Sequence, residues 1–178
     1  MAGAVMMLLA CVLLFPPVAA AQTTVSREYP IKGAFLFNFA QFVEWPTNTN
    51  SNAPFVIGVL GADPFGETLD KIVKNESIGS RPIAVKRSRN INDLKQCQIL
   101  FVSRSEADRM KEVLAAVESL PILTVSETDG FCRMGGMINF YKETSKVRFE
   151  INNRAAERHG LKISSELIRI GKMVEDDR

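Results

Sequence analysis

Histidine is almost missing from this chain. His159 is the only one in 178 residues. A single imidazole beside Arg158, with few cysteines and none near it, makes no ligand set for a metal. Its polar setting also marks it as a solvated side chain rather than a general base. Charge of one sign is not in excess either, with 22 Lys and Arg against 20 Asp and Glu. Nothing in that balance calls for nucleic acid. The one basic cluster, Lys86-Arg87-Ser88-Arg89, has no aromatic neighbours and reads as a solvated strand end. No serine sits in a nucleophile elbow, and Asp63, Glu67 and Asp70 stand at the spacing of a wet helical face, not of an acid pair. No repeat, low-complexity tract or second domain boundary interrupts the chain. These absences point away from catalysis, and no cofactor is expected.

What is present begins with an export signal. Residues 1–15 are almost wholly apolar, and Pro16-Pro17-Val18-Ala19-Ala20-Ala21 follows. Small residues at Ala19 and Ala21 fit cleavage before Gln22. The run is too short for a comfortable membrane span, and two prolines break it. Leu8-Leu9-Ala10-Cys11 has the look of a lipoprotein box, but apolar residues follow Cys11 where a polar tether would stand. The expected organisation is a cleaved signal at 1–21 and one α/β domain at 22–178, exported to the periplasm, with no insertion into the membrane after cleavage.

Four of the eleven Phe and the only Trp fall between Tyr29 and Pro46. Pro30 suits a first helical turn, and Pro46 disfavours helix at the residue before it. The spacing predicts a helix to Trp45 with Ile31, Phe35, Phe39 and Phe42 on one stripe, widened by Leu36 and Val43. Burying four such side chains contributes on the order of 6–12 kcal/mol before entropy. Phe37 then points away with Gln41 and Glu44. An aromatic on that outward face makes Phe37, Gln41 and Trp45 the candidate partner or dimer surface.

Beyond a polar loop, short apolar runs alternate with helical patterns. Strands are expected at Phe55-Leu60, Arg81-Arg87, Cys97-Val102 and Pro121-Val125. A helix capped by Asp63 and one carrying Met110, Val113, Leu114 and Val117 lie between them. Such alternation implies a parallel sheet with right-handed crossovers. The pattern then changes: Gly135-Tyr141 and Lys146-Ile151 form a hairpin turning at Thr144-Ser145. Asn152 or Asn153 caps a short helix stopped by Gly160, and Ser164 or Ser165 caps a last one with Leu167, Ile168 and Ile170 buried. The expected fold is a single-domain, layered α/β structure, mostly parallel and Rossmann-like, with an antiparallel C-terminal hairpin and helices on both faces.

Cys97 and Cys132 remain after cleavage. The sequence leaves open whether they are free or paired. The strand reading puts them at opposite ends of neighbouring parallel strands, beyond the ~7 Å that a disulfide allows between Cα atoms. Gly58-Val59-Leu60-Gly61 with Gly66 stands where a phosphate loop would, but its spacing is wrong and Asp63 would repel a pyrophosphate. The Thr128–Gly136 loop follows a parallel strand, at the end where such sheets bind ligands. With Arg133, Gly135, Gly136 and Arg148 it makes a candidate small-ligand pocket.

Five stretches resemble the YfiR family of bacterial periplasmic proteins. They are Tyr29-Ala40 with Phe42-Pro46; Ile57-Gly61 with Asp63-Gly66; Cys97-Ser103; Gly135-Phe140; and Arg148-Asn152 leading to Gly160-Ser165. The resemblance implies a compact α/β domain, often a homodimer, without known catalysis. It implies that the protein binds the periplasmic part of an inner-membrane diguanylate cyclase and represses it, lowering cyclic di-GMP and biofilm formation. Disulfide-bearing members carry more cysteines; here Gly58 and Asn139 stand where partners for Cys97 and Cys132 would be expected. A periplasmic small-ligand sensor is the alternative function.

Overall fold

A computed structural model describes residues 27–46 and 53–177. The expected signal at 1–21 lies outside the described residues. The chain opens with helix α1 (Glu28–Phe42) and a two-residue strand β1 (Val43–Glu44). Then come β2 (Phe55–Leu60), α2 (Glu67–Val73), β3 (Ser77–Ile78), β4 (Arg81–Ser88) and β5 (Ile99–Val102). Helix α3 (Met110–Val117), β6 (Leu123–Ser126) and the hairpin of β7 (Ile138–Glu143) and β8 (Lys146–Ile151) follow. The chain closes with α4 (Asn153–Arg158), β9 (Lys162–Ile163), α5 (Ser165–Ile170) and β10 (Lys172–Met173).

One sheet runs in the order β10-β8-β7-β6-β5-β2-β4-β3. Its centre, β4-β2-β5-β6-β7, is parallel. The β7–β8 hairpin is antiparallel, with Tyr141 opposite Arg148 and Asn139 opposite Glu150. Central strands are apolar on both faces because both are covered. Leu36, Phe39, Ile57, Phe101, Phe140 and Leu167 belong to the core on the side of α1, α2, α4 and α5. Leu60, Leu100, Met110, Val117 and Phe131 belong to a second core beneath α3. The layered α/β fold expected from the sequence is the one observed. Among the described residues, no helix is long and apolar enough to cross a membrane.

Local details differ from expectation. Helix α1 stops at Phe42, not Trp45. Val43 and Glu44 leave it to pair with Ile163 and Lys162, and Ser164 N–H takes the Phe42 carbonyl at 2.9 Å. The buried stripe is also rotated: Lys32, Gly33, Leu36, Phe39 and Ala40 face inward. Ile31 and Phe42, expected in the core, are 43% and 37% exposed. Two contacts set this rotation. Gly33 lies so close to α2 that a Cβ there would stand 2.8 Å from Ile72 Cδ1, and Lys32 reaches a buried carboxylate described below. Phe35 and Phe39 still pack on Phe140 and Phe149, with ring centres 5.3–6.0 Å apart.

Asp63 does not cap α2, which begins after Gly66. Its Oδ1 accepts from Phe65 N–H at 2.8 Å, and its Oδ2 accepts from Arg87 Nε at 2.6 Å. Asn152 and Ser164 do cap α4 and α5 through Ala155 N–H and Leu167 N–H. Ile170, expected to be buried, is 63% exposed, because the chain leaves α5 at once for the sheet edge.

Candidate functional site

From Tyr29 to Val43 the only charged residue is Lys32, and it is buried. The side of α1 turned to solvent, Ile31, Ala34, Asn38, Gln41 and Phe42, is therefore without charge. An uncharged face that shows Ile31 and Phe42 to solvent is the kind that a partner covers. Beside it, Phe35, Asn38, Phe42, Glu166, Leu167, Arg169 and Ile170 line a mostly apolar groove of about 250 Å³ between α1 and α5, with both of its charged residues on α5. Met173, 50% exposed, lies just beyond α5.

Of the three residues picked from the sequence, Gln41 lies on this open face. Phe37 is half-buried, on the flank nearer Gly33 and Ala40. Trp45 lies beyond the helix, where its ring meets Phe55 edge-on at 5.1 Å and its Nε1–H donates to Gln98 O at 3.2 Å.

At the N-terminal end of α1 is a cluster that sequence reasoning missed. Lys32 Nζ donates to the Glu127 carboxylate, with Lys32 only 2% and Glu127 only 5% exposed. Lys32 also reaches Glu28 at 2.5 Å, and Lys142 pairs with Glu28 from the hairpin. Tyr29 O–H donates to Glu127 Oε1 at 3.3 Å, and the Arg104 guanidinium donates to the Glu127 carbonyl at 3.0 Å. Burial would raise the Glu28 pKa, but hydrogen bonds from Lys142 and Lys32 overcome this and hold it below 4.5. Burial, helped by the Glu127 charge, pushes the Tyr29 phenol up. A lysine three before Phe35 and four before Leu36, inside an apolar stripe, was the signal available. Such a residue needs a buried anion.

The Thr128–Gly136 loop carries the chain from β6 to β7 without a helix. Phe131 is sunk beneath it, and Gly136 lies against that ring: a Cβ there would be 2.2 Å from Phe131 Cε1. Gly135 is buried with φ +102°. These two glycines shape the loop. Arg133 stands free of it and borders a cavity, whereas Arg148 lies further along the hairpin and pairs with Glu143 at 3.4 Å. Cys97 and Cys132 are both free and buried. Burial pushes each thiol up to about 12.

Past the ends of β2 and β5, where a phosphate would sit in a sheet of this kind, the space is taken. Ser105 Oγ accepts from Ala62 N–H at 2.9 Å. A Cβ on Gly61 would lie 2.6 Å from Glu106 Oε1. A carboxylate in that position repels a phosphate. His159 Nδ1 lies 2.8 Å from the Ala155 carbonyl, at the end of α4. With this geometry in place, one comparison bears on kinship: the family model described as YfiR/HmsC-like matches residues 29–172.

Proposed function

Because the chain belongs to the YfiR/HmsC-like family, we propose that it is a non-enzymatic periplasmic regulator that binds and represses a membrane-bound diguanylate cyclase. The family is one of periplasmic regulators rather than catalysts, which supports the class of function. The observation that carries the surface is the uncharged outer face of α1. In a protein where a quarter of residues are charged, the fourteen helical positions from Tyr29 to Phe42 carry no exposed charge. Interface cores are depleted of charge in the same way. Ile31 and Phe42, continued by Ile170 and Met173 from α5 and β10, are the anchors of this surface. Gln41 lies among them, half-buried Phe37 borders the face on one flank, and Trp45 lies past the end of the helix. The occupant is the periplasmic part of the cyclase, with a second copy of this chain as the competing occupant in a homodimer.

Phe42→Arg and Ile31→Glu test this surface. Both side chains are exposed, so each variant should keep the wild-type Tm. Each should fail to co-purify the membrane enzyme from cells and should release cyclic di-GMP synthesis. Full repression by both variants would overturn the surface.

A further inference from the structure

On the hairpin face away from α1, the loop after β6 borders an open hollow of about 270 Å³ lined by Asp129, Gly130, Arg133, Asn139, Tyr141 and Glu150. Asn139 forms part of its floor and is 2% exposed. Its Oδ1 is the one buried side-chain nitrogen or oxygen without a hydrogen-bond partner among the described residues. A buried acceptor left without a donor is costly, and native proteins rarely keep one without a use. The sheet does not supply the donor, because Asn139 sits between Ser126 and Glu150 with its side chain on the cavity side.

The rim carries both signs of charge. Asp129 and Arg133 are exposed, and neither makes an ion pair among the described residues. Glu150 and Tyr141 already hold an ammonium group, which leaves Asp129 as the free carboxylate of the rim. The chain's own Lys172 places its Nζ 3.1 Å from Glu150 Oε1 and 5.7 Å from the centre of the Tyr141 ring. The main chain at Arg133 is held by Asp177 N–H at 3.2 Å from its carbonyl.

We propose that this cavity binds a small zwitterion of the α-amino acid type. Its ammonium donates to Asn139 Oδ1 and faces Asp129, and its carboxylate pairs with Arg133. Other classes fit worse. Asp129, which has no cation of its own among the described residues, repels a phosphate, Arg133 repels a divalent cation, and a purely apolar ligand leaves Asn139 Oδ1 unpaired. This site lies apart from the α1 face and does not depend on the regulator reading.

Calorimetric titration of the full exported chain with each common L-amino acid tests the proposal, with ethylamine and propionate as probes that carry one half of the zwitterion each. Saturable binding of at least one amino acid is expected, with ethylamine and propionate much weaker. Arg133→Gln and Asn139→Leu should each weaken it about tenfold or more, the loss of one charge-assisted contact. Asn139→Leu removes the orphan acceptor, so its ligand-free Tm should not fall below wild type. Arg133 is a surface residue, and its variant keeps the test meaningful if the other folds poorly. Absence of binding by every amino acid, binding unchanged in Arg133→Gln, or ethylamine binding as tightly as the best amino acid would overturn the proposal.

Discussion

Lys32 is the residue on which the placement of α1 depends. Removing its charge as Lys32→Met strands Glu127 in the interior with one phenol for a partner, and should cost about 3–5 kcal/mol. Pairing that change with Glu127→Leu should restore most of the loss, because a buried ion pair can be replaced by apolar groups at little net cost. Urea denaturation of the two single variants and the double variant checks this; a strictly additive double variant would contradict it. Glu28 adds a pH dependence. Its folded pKa is held below the ordinary 4.5 by Lys142 and Lys32. Its contribution is therefore fully present above pH 4.5 and disappears as pH falls through the lower folded value. Thermal melts across the acid range should show Glu28→Gln with a flatter decline than wild type. The cysteines belong to this scale too. With thiols pushed up to about 12 and side chains buried, neither should react with a thiol reagent in the native state, and both should react in denaturant.

Among the elements, α1 and the β2–β5 pair carry the most. The sequence pattern located α1 and its aromatic content but not which way it turns. A helix with apolar residues on both its faces and a lysine on the buried one has no clear periodic signal to set its rotation. Contacts distant in sequence, Gly33 against Ile72 and Lys32 against Glu127, decide it. The same limit hid the cavity at Asn139, since an unpaired oxygen exists only once the β6–β7 loop has closed. Some caps and strands need no such information: local chemistry narrows the caps at Asn152 and Ser164 to two neighbouring residues each and shows the alternation of Val147, Phe149 and Ile151. The cap expected at Asp63, by contrast, is lost to its pairing with Arg87. Between β2 and β5, a Cβ built on Gly58 stands 3.1 Å from Cys97 Sγ and 3.3 Å from Cys97 Cβ. A shift of a few tenths of an ångström would admit a disulfide. Gly58→Cys should therefore cross-link to Cys97 under oxidising conditions and stabilise the fold by about 4 kcal/mol in the chain-entropy model. Mass spectrometry and urea melts with and without reductant check it; a free thiol at position 58 in the oxidised protein would contradict it.

At the scale of the whole molecule, the described residues form a layered α/β body in which Ser105 and Glu106 fill the crevice past β2 and β5 and the first helix is left partly bare. The bare helix is the feature on which the proposed regulator role rests. A single measurement addresses this claim most directly: photo-crosslinking in living cells from a reactive residue in place of Gln41, on the open face of α1, with mass spectrometry of the captured protein. The account predicts capture of an inner-membrane protein that carries a diguanylate cyclase domain, and loss of that capture when Phe42→Arg is added. Capture of a second copy of this chain alone, or of no protein, would contradict it.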